Sequence, residues 1–148
     1  MMIVITPVKA ETYDLSENEN FINSVSESYN LDPDLIKAVI KTESDCNTEA
    51  LSNAGCIGLM QISPKWHEDR CAKLGLTVDD LYNGNSNILV GCDYLSELIN
   101  TYQDIPFALM VYNEGYTHAL KTYQETGISD YANKVLSNYC QIWNQYYE

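Results

Sequence analysis

The sequence predicts an all-α fold in a single domain of six to seven helices. Apolar residues recur at spacings of three and four in several segments, and most of these segments begin at a capping residue or a proline. No segment alternates convincingly between apolar and polar residues, and no internal repeat is visible. A chain of 148 residues with 45% hydrophobic content has room for one core, and no linker divides it.

The charge balance excludes two classes of partner. Eight Lys and Arg residues against 21 Asp and Glu residues give a net charge of −13. Such a charge repels the phosphates of nucleic acids and the anionic face of a membrane. No apolar run reaches the length needed to span a bilayer. We therefore expect no nucleic-acid partner and no membrane span, and we take the chain to be a monomer.

The N-terminal stretch is assigned to a leader. Residues 1–10 contain a short apolar run that ends in Val8-Lys9-Ala10, a pattern found at the end of export signals, although the basic beginning of such a signal is missing. A leader without fixed structure is the alternative. The predicted organisation is a leader over residues 1–15 and a folded domain over residues 16–148.

The cysteines and histidines give little support for a metal or cofactor site, and none is predicted. The five cysteines form no Cys-x-x-Cys pair, and the two histidines are far apart in sequence. A disulfide between Cys46 and Cys56 would fit an exported protein, and free thiols are the alternative. The cysteines are Cys46, Cys56, Cys71, Cys92 and Cys140.

The first two helices are marked by clear N-terminal signals. The segment Ser16-Glu17-Asn18-Glu19 has the capping-box pattern and is followed by apolar residues at helical spacing up to Asn30. A second helix begins at Asp32-Pro33, where an N-cap residue precedes a proline at the first helical position.

The second helix ends on the residue we select as the catalytic centre, Glu43. Ile36, Ile40 and Glu43 follow one another at spacings of four and three, which places the carboxyl group on the apolar face of the helix. Burial raises the pKa of a carboxyl group, by roughly 3–5 units when it is complete, and such a group can act as a general acid near neutral pH. A solvated glutamate at a helix end is the alternative, and periodicity alone does not decide between them.

The remaining segments are predicted to alternate between loops and helices. The segment Gly58-Leu59-Met60-Gln61 is predicted to form a glycine loop before the next helix. The Gln61 amide at its end either contacts a ligand or ties down the loop backbone. Tyr112 and Asn113 end the most apolar helix and bring a phenol and an amide to the edge of the core, within expected reach of Glu43. The predicted elements are a loop over 45–58, a helix from Ser63-Pro64 to Gly75, a turn of helix at 77–80, a break at 83–85, a long helix capped by Ser86, a helix opening at Pro106, a short helix over 117–127 and a last helix capped by Ser129.

Over roughly residues 20–140 the chain resembles the soluble lytic transglycosylase family, whose catalytic domain is similar to goose-type lysozyme. Several blocks carry this resemblance in order and at matching spacing, which makes it specific. They are Ala38-Val39-Ile40-Lys41-Thr42-Glu43-Ser44, Ala50-Leu51-Ser52, Gly58-Leu59-Met60-Gln61-Ile62-Ser63-Pro64, Asn87-Ile88 with Gly91 and Tyr94-Leu95, and Ala108-Leu109-Met110-Val111-Tyr112-Asn113.

The resemblance implies a lysozyme-like helical domain with a loop-lined glycan cleft and a role for each matching residue. Glu43 would be the only catalytic acid and base, and would cleave the bond between N-acetylmuramic acid and N-acetylglucosamine with formation of a 1,6-anhydro ring. Ser52 and Gln61 would contact N-acetylated sugar. Tyr112, with Asn113 beside it, would complete the substrate-binding set, and the Tyr112 hydroxyl would orient Glu43.

Departures from the family pattern keep other interpretations open. Glu114 and Thr117 stand where the family usually has Ala and Gly, and Glu125-Thr126 lies further from Tyr131 than the usual spacing. Hydrolysis of the same bond, as in lysozymes, is the first alternative, and a non-catalytic wall-binding scaffold is the second. The resemblance implies a cell-envelope or secreted location, including a place in a phage apparatus, with peptidoglycan as the partner.

Overall fold

The computed structural model describes residues 14–146 and confirms the all-α prediction. Within that range the backbone forms seven α-helices and one 3₁₀ helix, with no strand other than isolated bridges that join Leu51 to Ile57 and Ile57 to Ile62. The helices are α1 (Glu19–Tyr29), α2 (Pro33–Ser44), α3 (Pro64–Lys73), the 3₁₀ helix (Val78–Tyr82), α4 (Gly84–Tyr102), α5 (Ile105–Glu114), α6 (Tyr116–Thr126) and α7 (Asp130–Asn144).

Helix α5 lies at the centre of the core. Its residues Ala108, Leu109, Met110 and Val111 are all buried, and the helix packs against α4, α6 and α7. A helix that is apolar all round is expected to be surrounded by other helices, so the sequence pattern of this segment is explained. The polar end of α5, at Tyr112 and beyond, therefore emerges from the core beside the loops that line the cleft.

Helices α2 and α7 pack against each other along their length, and this packing positions Glu43. Asp32 caps α2 by accepting a hydrogen bond from the Asp34 backbone amide at 2.8 Å, and its other carboxyl oxygen accepts one from the Tyr139 hydroxyl of α7 at 2.7 Å. Near the opposite end, Asn138 of α7 donates to the Thr42 hydroxyl at 2.9 Å. The last turn of α2 is thus held against α7.

Two predicted helix starts are wrong. Helix α1 begins at Glu19 without the predicted capping box, because the Ser16 hydroxyl donates to Asp14 and the Asn18 amide donates to Asn85 instead. Helix α4 begins at Gly84, where a break was predicted, because the Asn83 side chain accepts from the Ser86 backbone amide and so caps the helix three residues earlier than expected.

Leu15 is buried in the core with an exposed fraction of 4%, although the sequence assigns it to the leader. Residues 1–13 of that leader lie outside the described part of the chain, so the domain boundary stays a prediction. Between residues 14 and 146, no helix combines the length and apolar character needed to cross a membrane.

All five cysteines are free thiols, so the disulfide considered between Cys46 and Cys56 is not formed in this structure. Cys71 and Cys92 are buried, and Cys140 is exposed. Burial raises the pKa values of the Cys71 and Cys92 thiols, which favours their uncharged form.

Candidate active site

Glu43 lies in the last turn of α2, with its carboxyl group partly exposed to a cleft. Burial raises the pKa of this carboxyl to about 7, and the hydrogen bond from Tyr131 opposes the rise. Desolvation penalises the charged form more than one hydrogen bond can offset. Of the two alternatives that periodicity left open, the half-buried carboxyl is therefore the one the structure supports, and it carries a proton for part of the time at neutral pH.

The group that orients Glu43 is Tyr131, at the start of α7. Its hydroxyl donates to Glu43 Oε1 at 2.6 Å. Burial, followed by the charge of Glu43, raises the pKa of Tyr131 well above its ordinary value, so the phenol keeps its proton and remains a donor. Ser129 fixes this first turn of α7 by accepting a hydrogen bond from the Ala132 amide.

Tyr112 does not make the predicted hydrogen bond to Glu43. Its hydroxyl donates to the Met60 carbonyl at 2.9 Å and so ties the end of α5 to the glycine loop. A buried carbonyl without a donor is costly, and Tyr112 is placed to supply one. The two groups are nevertheless close, since the charge of Glu43 contributes, after burial, to a raised pKa of Tyr112.

Asn87 of α4 anchors the glycine loop, which lies beside Glu43. The fully buried Asn87 amide donates to the carbonyls of Ile57 and Leu81 at 2.8 and 2.9 Å and accepts from the Met60 amide at 2.8 Å. Gly58, with φ +77°, is required here because a Cβ would lie 2.4 Å from the Asn87 side chain. In the sequence Asn87 is only part of a block that carries the family resemblance, and no local pattern predicts its anchoring role.

A second hydrogen bond joins the loop directly to α2, the helix that carries Glu43. The Ser44 hydroxyl, one residue after Glu43, donates to the Leu59 carbonyl at 2.8 Å. The carboxyl group and the loop are therefore fixed to the same turn of α2. A serine next to the acid gave no such signal in the sequence, because its partner lies 15 residues away in an irregular segment.

Gln61 combines a left-handed backbone, φ 51°, with a side chain bound to the loop. Its Nε2 donates to the carbonyls of Gly58 and Ala50 at 3.0 and 3.2 Å. This is the loop-tying role considered from sequence. The amide oxygen has no hydrogen-bond partner among the described residues and is the atom left to meet a ligand.

Ser52 and Asn113 both line the cleft, but they are held differently. The Ser52 oxygen accepts from the Cys56 backbone amide at 3.0 Å, which closes the 52–56 turn and leaves the hydroxyl hydrogen available to a ligand. Asn113 is exposed, and its side chain makes no hydrogen bond to any described residue. The loop thus presents one fixed donor, and the end of α5 presents one adaptable amide.

Two cavities flank Glu43 and form one extended cleft. The larger has a volume of about 750 Å³ and includes Tyr112 and Asn113. The smaller, of about 640 Å³, includes Lys134 and Asn138 of α7. Glu43, Ser52 and Gln61 line both cavities, so the half-buried carboxyl lies where the two arms of the cleft meet.

The far wall of the larger cavity is built from α3 and α4. Arg70 of α3 forms ion pairs with Asp93 and Glu97 of α4, which clamp the two helices together. The Tyr94 ring lies between those of His67 and Tyr112, with centroid distances of 4.6 and 5.3 Å. Burial and the neighbouring guanidinium lower the pKa of His67, so this ring is uncharged at neutral pH.

Acidic and metal-binding groups in this region are few. Asp45, the nearest acidic neighbour of Glu43 in sequence, is exposed and pairs with Lys41. Glu114 lines the larger cavity, and its Oε1 is buried without a partner in the described part of the chain. Across residues 14–146 no three His, Cys, Asp or Glu side chains are grouped as a metal site.

The fold and the site define a helical domain with a long cleft, and the half-buried Glu43 carboxyl lies where the two arms of the cleft meet. The transglycosylase SLT domain family matches residues 20–135, which is most of the chain. The protein belongs to this family.

Relatives with similar sequences agree with this assignment. The chain is 37% identical over 98 residues to a transglycosylase of Enterobacteria phage PRD1, a match covering 66% of this chain and 35% of the relative. It is 29% identical over 119 residues to membrane-bound lytic murein transglycosylase E of Buchnera aphidicola, covering 72% of this chain and 54% of the relative. The chain therefore spans about a third to a half of the length of these relatives.

The structural similarity concerns the fold. An inactive mutant of lytic transglycosylase Slt from Pseudomonas aeruginosa superposes with a TM-score of 0.74 at 22% identity, covering 89% of this chain and 25% of that one. The 70 kDa soluble lytic transglycosylase of Escherichia coli gives a TM-score of 0.69 at 18% identity, covering 81% of this chain and 23% of that one. In both cases the matched fold makes up about a quarter of the longer protein.

Proposed function

We propose that this domain is a peptidoglycan lytic transglycosylase, which cleaves the β-1,4 bond between N-acetylmuramic acid and N-acetylglucosamine and leaves a 1,6-anhydro ring on the muramic acid. The observation that carries the proposal is Glu43 itself. It is a half-buried carboxyl with a pKa of about 7, oriented by Tyr131 at the junction of two cavities. Family membership and the named relatives support the same substrate class.

In the first step Glu43 is the general acid. The protonated carboxyl delivers its proton to the bridging oxygen as the glycosidic bond breaks, and the acetamide of the substrate stabilises the cation that develops at the sugar carbon. This substrate-assisted scheme requires no second carboxylate. A pKa near the working pH suits the role because the carboxyl must both hold and release a proton.

In the second step the same group is the base. Once deprotonated, Glu43 accepts the proton of the C6 hydroxyl of the muramic acid, and that oxygen attacks the sugar carbon to close the anhydro ring. The proton given in the first step is recovered, so the carboxyl is ready for another cycle. The Tyr131 hydroxyl holds Oε1 in place through both steps and stabilises the carboxylate between them.

The polar groups around Glu43 hold the glycan. Ser52 has a hydroxyl hydrogen to donate, and Gln61 has a free amide oxygen to accept. Asn113 adds an amide to the lining of the larger cavity. The Tyr112 hydroxyl donates to the Met60 carbonyl and so stabilises the loop. The contribution of this hydroxyl to glycan binding is therefore indirect. Ser52 and Gln61 suit the N–H and C=O groups of N-acetylated sugars.

Hydrolysis of the same bond is the second candidate, and Glu114 is the observation that favours it. This carboxylate lines the larger cavity and is a candidate to activate a water. A non-catalytic scaffold is disfavoured, since a raised carboxyl pKa is a cost that a purely structural domain does not need.

We further propose that residues 16–148 form the catalytic domain of a monomer that acts at the cell envelope, as a secreted or phage-associated protein. The relatives named above include both membrane-bound and phage transglycosylases. Peptidoglycan glycan strands are the proposed partner, and no cofactor is part of the mechanism.

Digestion of purified peptidoglycan followed by mass spectrometry tests the proposal. We expect anhydro products, which are lighter by one water than hydrolytic products. Glu43→Gln should lower the rate by at least about 10²–10⁴-fold, because general acid and base catalysis is lost while the side-chain shape is kept. Hydrolytic products would instead support the lysozyme-like alternative. Unchanged cleavage by Glu43→Gln would disprove the assigned mechanism.

A further inference from the structure

The strongest feature that the mechanism does not use is Trp66, in the first turn of α3. It is the most exposed large apolar side chain in the described part of the chain, with 74% of its surface accessible. It also lines the larger cavity, on the rim of the cleft. Burial of an indole ring contributes a large favourable free energy, which an exposed ring gains only when a ligand covers it. Trp is also enriched where ligands bind.

The backbone below Trp66 is rigid. Pro64 occupies the first helical position of α3, and Arg70, four residues after Trp66 on the same helix face, clamps α3 to α4 through Asp93 and Glu97. Cys71 buries the opposite side of the helix in the core. The indole is therefore presented to the cleft by a fixed support, which lowers the entropic cost of binding against it.

The surroundings of Trp66 select the kind of ligand. The Lys65 ammonium lies 4.7 Å from the centroid of the ring and covers one face, so the other face is available. Deeper in the same cavity the rings of His67, Tyr94 and Tyr112 follow one another. Pyranose rings with β-1,4 links have flat faces of C–H groups that pack on such rings, and their hydroxyl and amide groups remain at the edges for polar partners.

We propose that Trp66 is the platform of an outer sugar subsite in the larger arm of the cleft, where its open face stacks on a sugar ring of the glycan strand away from the scissile bond. The inference rests on the proposed function, since it takes the ligand to be an N-acetylated β-1,4 glycan. It also predicts that affinity depends on the length of the glycan: a strand long enough to reach Trp66 is bound more tightly than a shorter one.

Intrinsic fluorescence tests this directly, because the chain has two tryptophans. Trp143 lies near the end of α7 and lines neither cavity of the cleft. In the Glu43→Gln background, Trp143→Phe leaves Trp66 as the only indole, and Trp66→Phe leaves only Trp143. Titration with the tetramer of N-acetylglucosamine should give a saturable emission change in the first protein and none in the second.

Affinity and chain-length dependence provide the second measurement. By calorimetry, Trp66→Ala should bind the tetramer about tenfold more weakly, a loss of about 1.4 kcal/mol, and Trp66→Tyr should recover most of the affinity. The disaccharide, too short to reach the rim, should bind all three proteins alike. Because the side chain is exposed, far-ultraviolet circular dichroism should be unchanged in every variant.

The outcomes separate this inference from the function on which it rests. If wild type cleaves peptidoglycan but Trp66→Ala binds the tetramer as tightly as wild type, the platform is disproved and the proposed function stands. If the emission of Trp66 does not change during the titration while calorimetry records binding, the platform is likewise disproved. If no variant binds the tetramer and wild type cleaves nothing, both proposals fail together.

Discussion

The buried Asn87 and the half-buried Glu43 are two polar side chains of this site that differ in how well their hydrogen-bonding groups are satisfied. Asn87 has three hydrogen bonds to backbone groups of the loop and its neighbour, and none of its surface is exposed. Glu43 has one side-chain hydrogen bond, from Tyr131, and burial raises its pKa to about 7. The first arrangement satisfies a polar group completely, and the second leaves a carboxyl group short of partners.

The difference separates the structural role of Asn87 from the catalytic role that we propose for Glu43. A fully satisfied amide stabilises one loop conformation and gains nothing from a change of pH. A carboxyl with too few partners destabilises the folded state when it is charged, but the same deficit keeps a proton available for transfer. The Ser44 hydroxyl joins the loop that Asn87 fixes to the turn of α2 that carries Glu43. The loop, whose polar groups are satisfied, therefore helps to position the carboxyl group that has few partners.

The largest effect on stability is expected from Asn87→Ala. The substitution leaves the Met60 amide and the Leu81 carbonyl without partners, whereas the Ile57 carbonyl keeps its hydrogen bond from the Ile62 amide. We expect a loss of about 4 kcal/mol in the free energy of unfolding. Urea denaturation measures it. Asn100→Ala, on an exposed position of the same helix, is the control and should change stability by less than about 0.5 kcal/mol. A loss of similar size in both variants would mean that Asn87 is not a specific anchor.

A smaller effect with a definite sign is expected from Glu43. Its pKa in the folded state is about 7, above the ordinary value of 4.5, so the folded state binds more protons between these limits. Stability from this group is present below about pH 4.5 and is lost as pH rises to about 7, a change of about 3 kcal/mol.

Comparison of wild type with Glu43→Gln isolates this contribution, since all other groups cancel. The two proteins should be about equally stable at pH 4, and the variant should be more stable by about 3 kcal/mol at pH 8. Urea denaturation at the two pH values provides the measurement. Parallel pH profiles for the two proteins would show that Glu43 is an ordinary solvated carboxyl.

The smallest expected effect is on the rate of cleavage and its pH dependence, and it distinguishes Tyr131 from Tyr112. Tyr131→Phe removes the hydrogen bond that favours the Glu43 carboxylate, so the pKa of Glu43 should rise and the alkaline limb of the pH–rate profile should move to higher pH. We also expect about a tenfold lower rate from lost orientation, equal to about 1.4 kcal/mol.

The matched control is Tyr112→Phe, which removes the hydrogen bond to the Met60 carbonyl. This variant should lose some stability while the alkaline limb of its pH–rate profile stays at the wild-type position. If Tyr112→Phe moved that limb and Tyr131→Phe did not, the sequence-based assignment of Tyr112 to Glu43 would be correct after all.

Much of the fold followed from local signals in the sequence. Asp32 with Pro33, Ser63 with Pro64, and Ser129 mark the starts of α2, α3 and α7, and the all-round apolar segment before Tyr112 predicted the central helix. The position of Glu43 on the apolar face also followed from spacing. These features depend on residues within one or two helical turns of each other, which a single sequence displays.

The rest depends on contacts between distant segments. Tyr112 and Tyr131 are both phenols on inward faces, and only the packing of α7 against α2 decides which one reaches Glu43. The start of α1 was wrong because Asn18 is engaged by Asn85, 67 residues away. Periodicity carries no information about such pairs, and the family resemblance pointed to the other tyrosine.

The separation of Glu43 and Tyr131 also has a consequence for the order of events during synthesis. The two residues are 88 positions apart, and a chain emerges from the ribosome with its N-terminal part first. Glu43, the glycine loop and the central helix all leave the ribosome before Tyr131 does. A nascent chain that has not yet docked α7 therefore lacks the hydrogen bond that orients the Glu43 carboxyl, and the site is completed only when the last helix has folded.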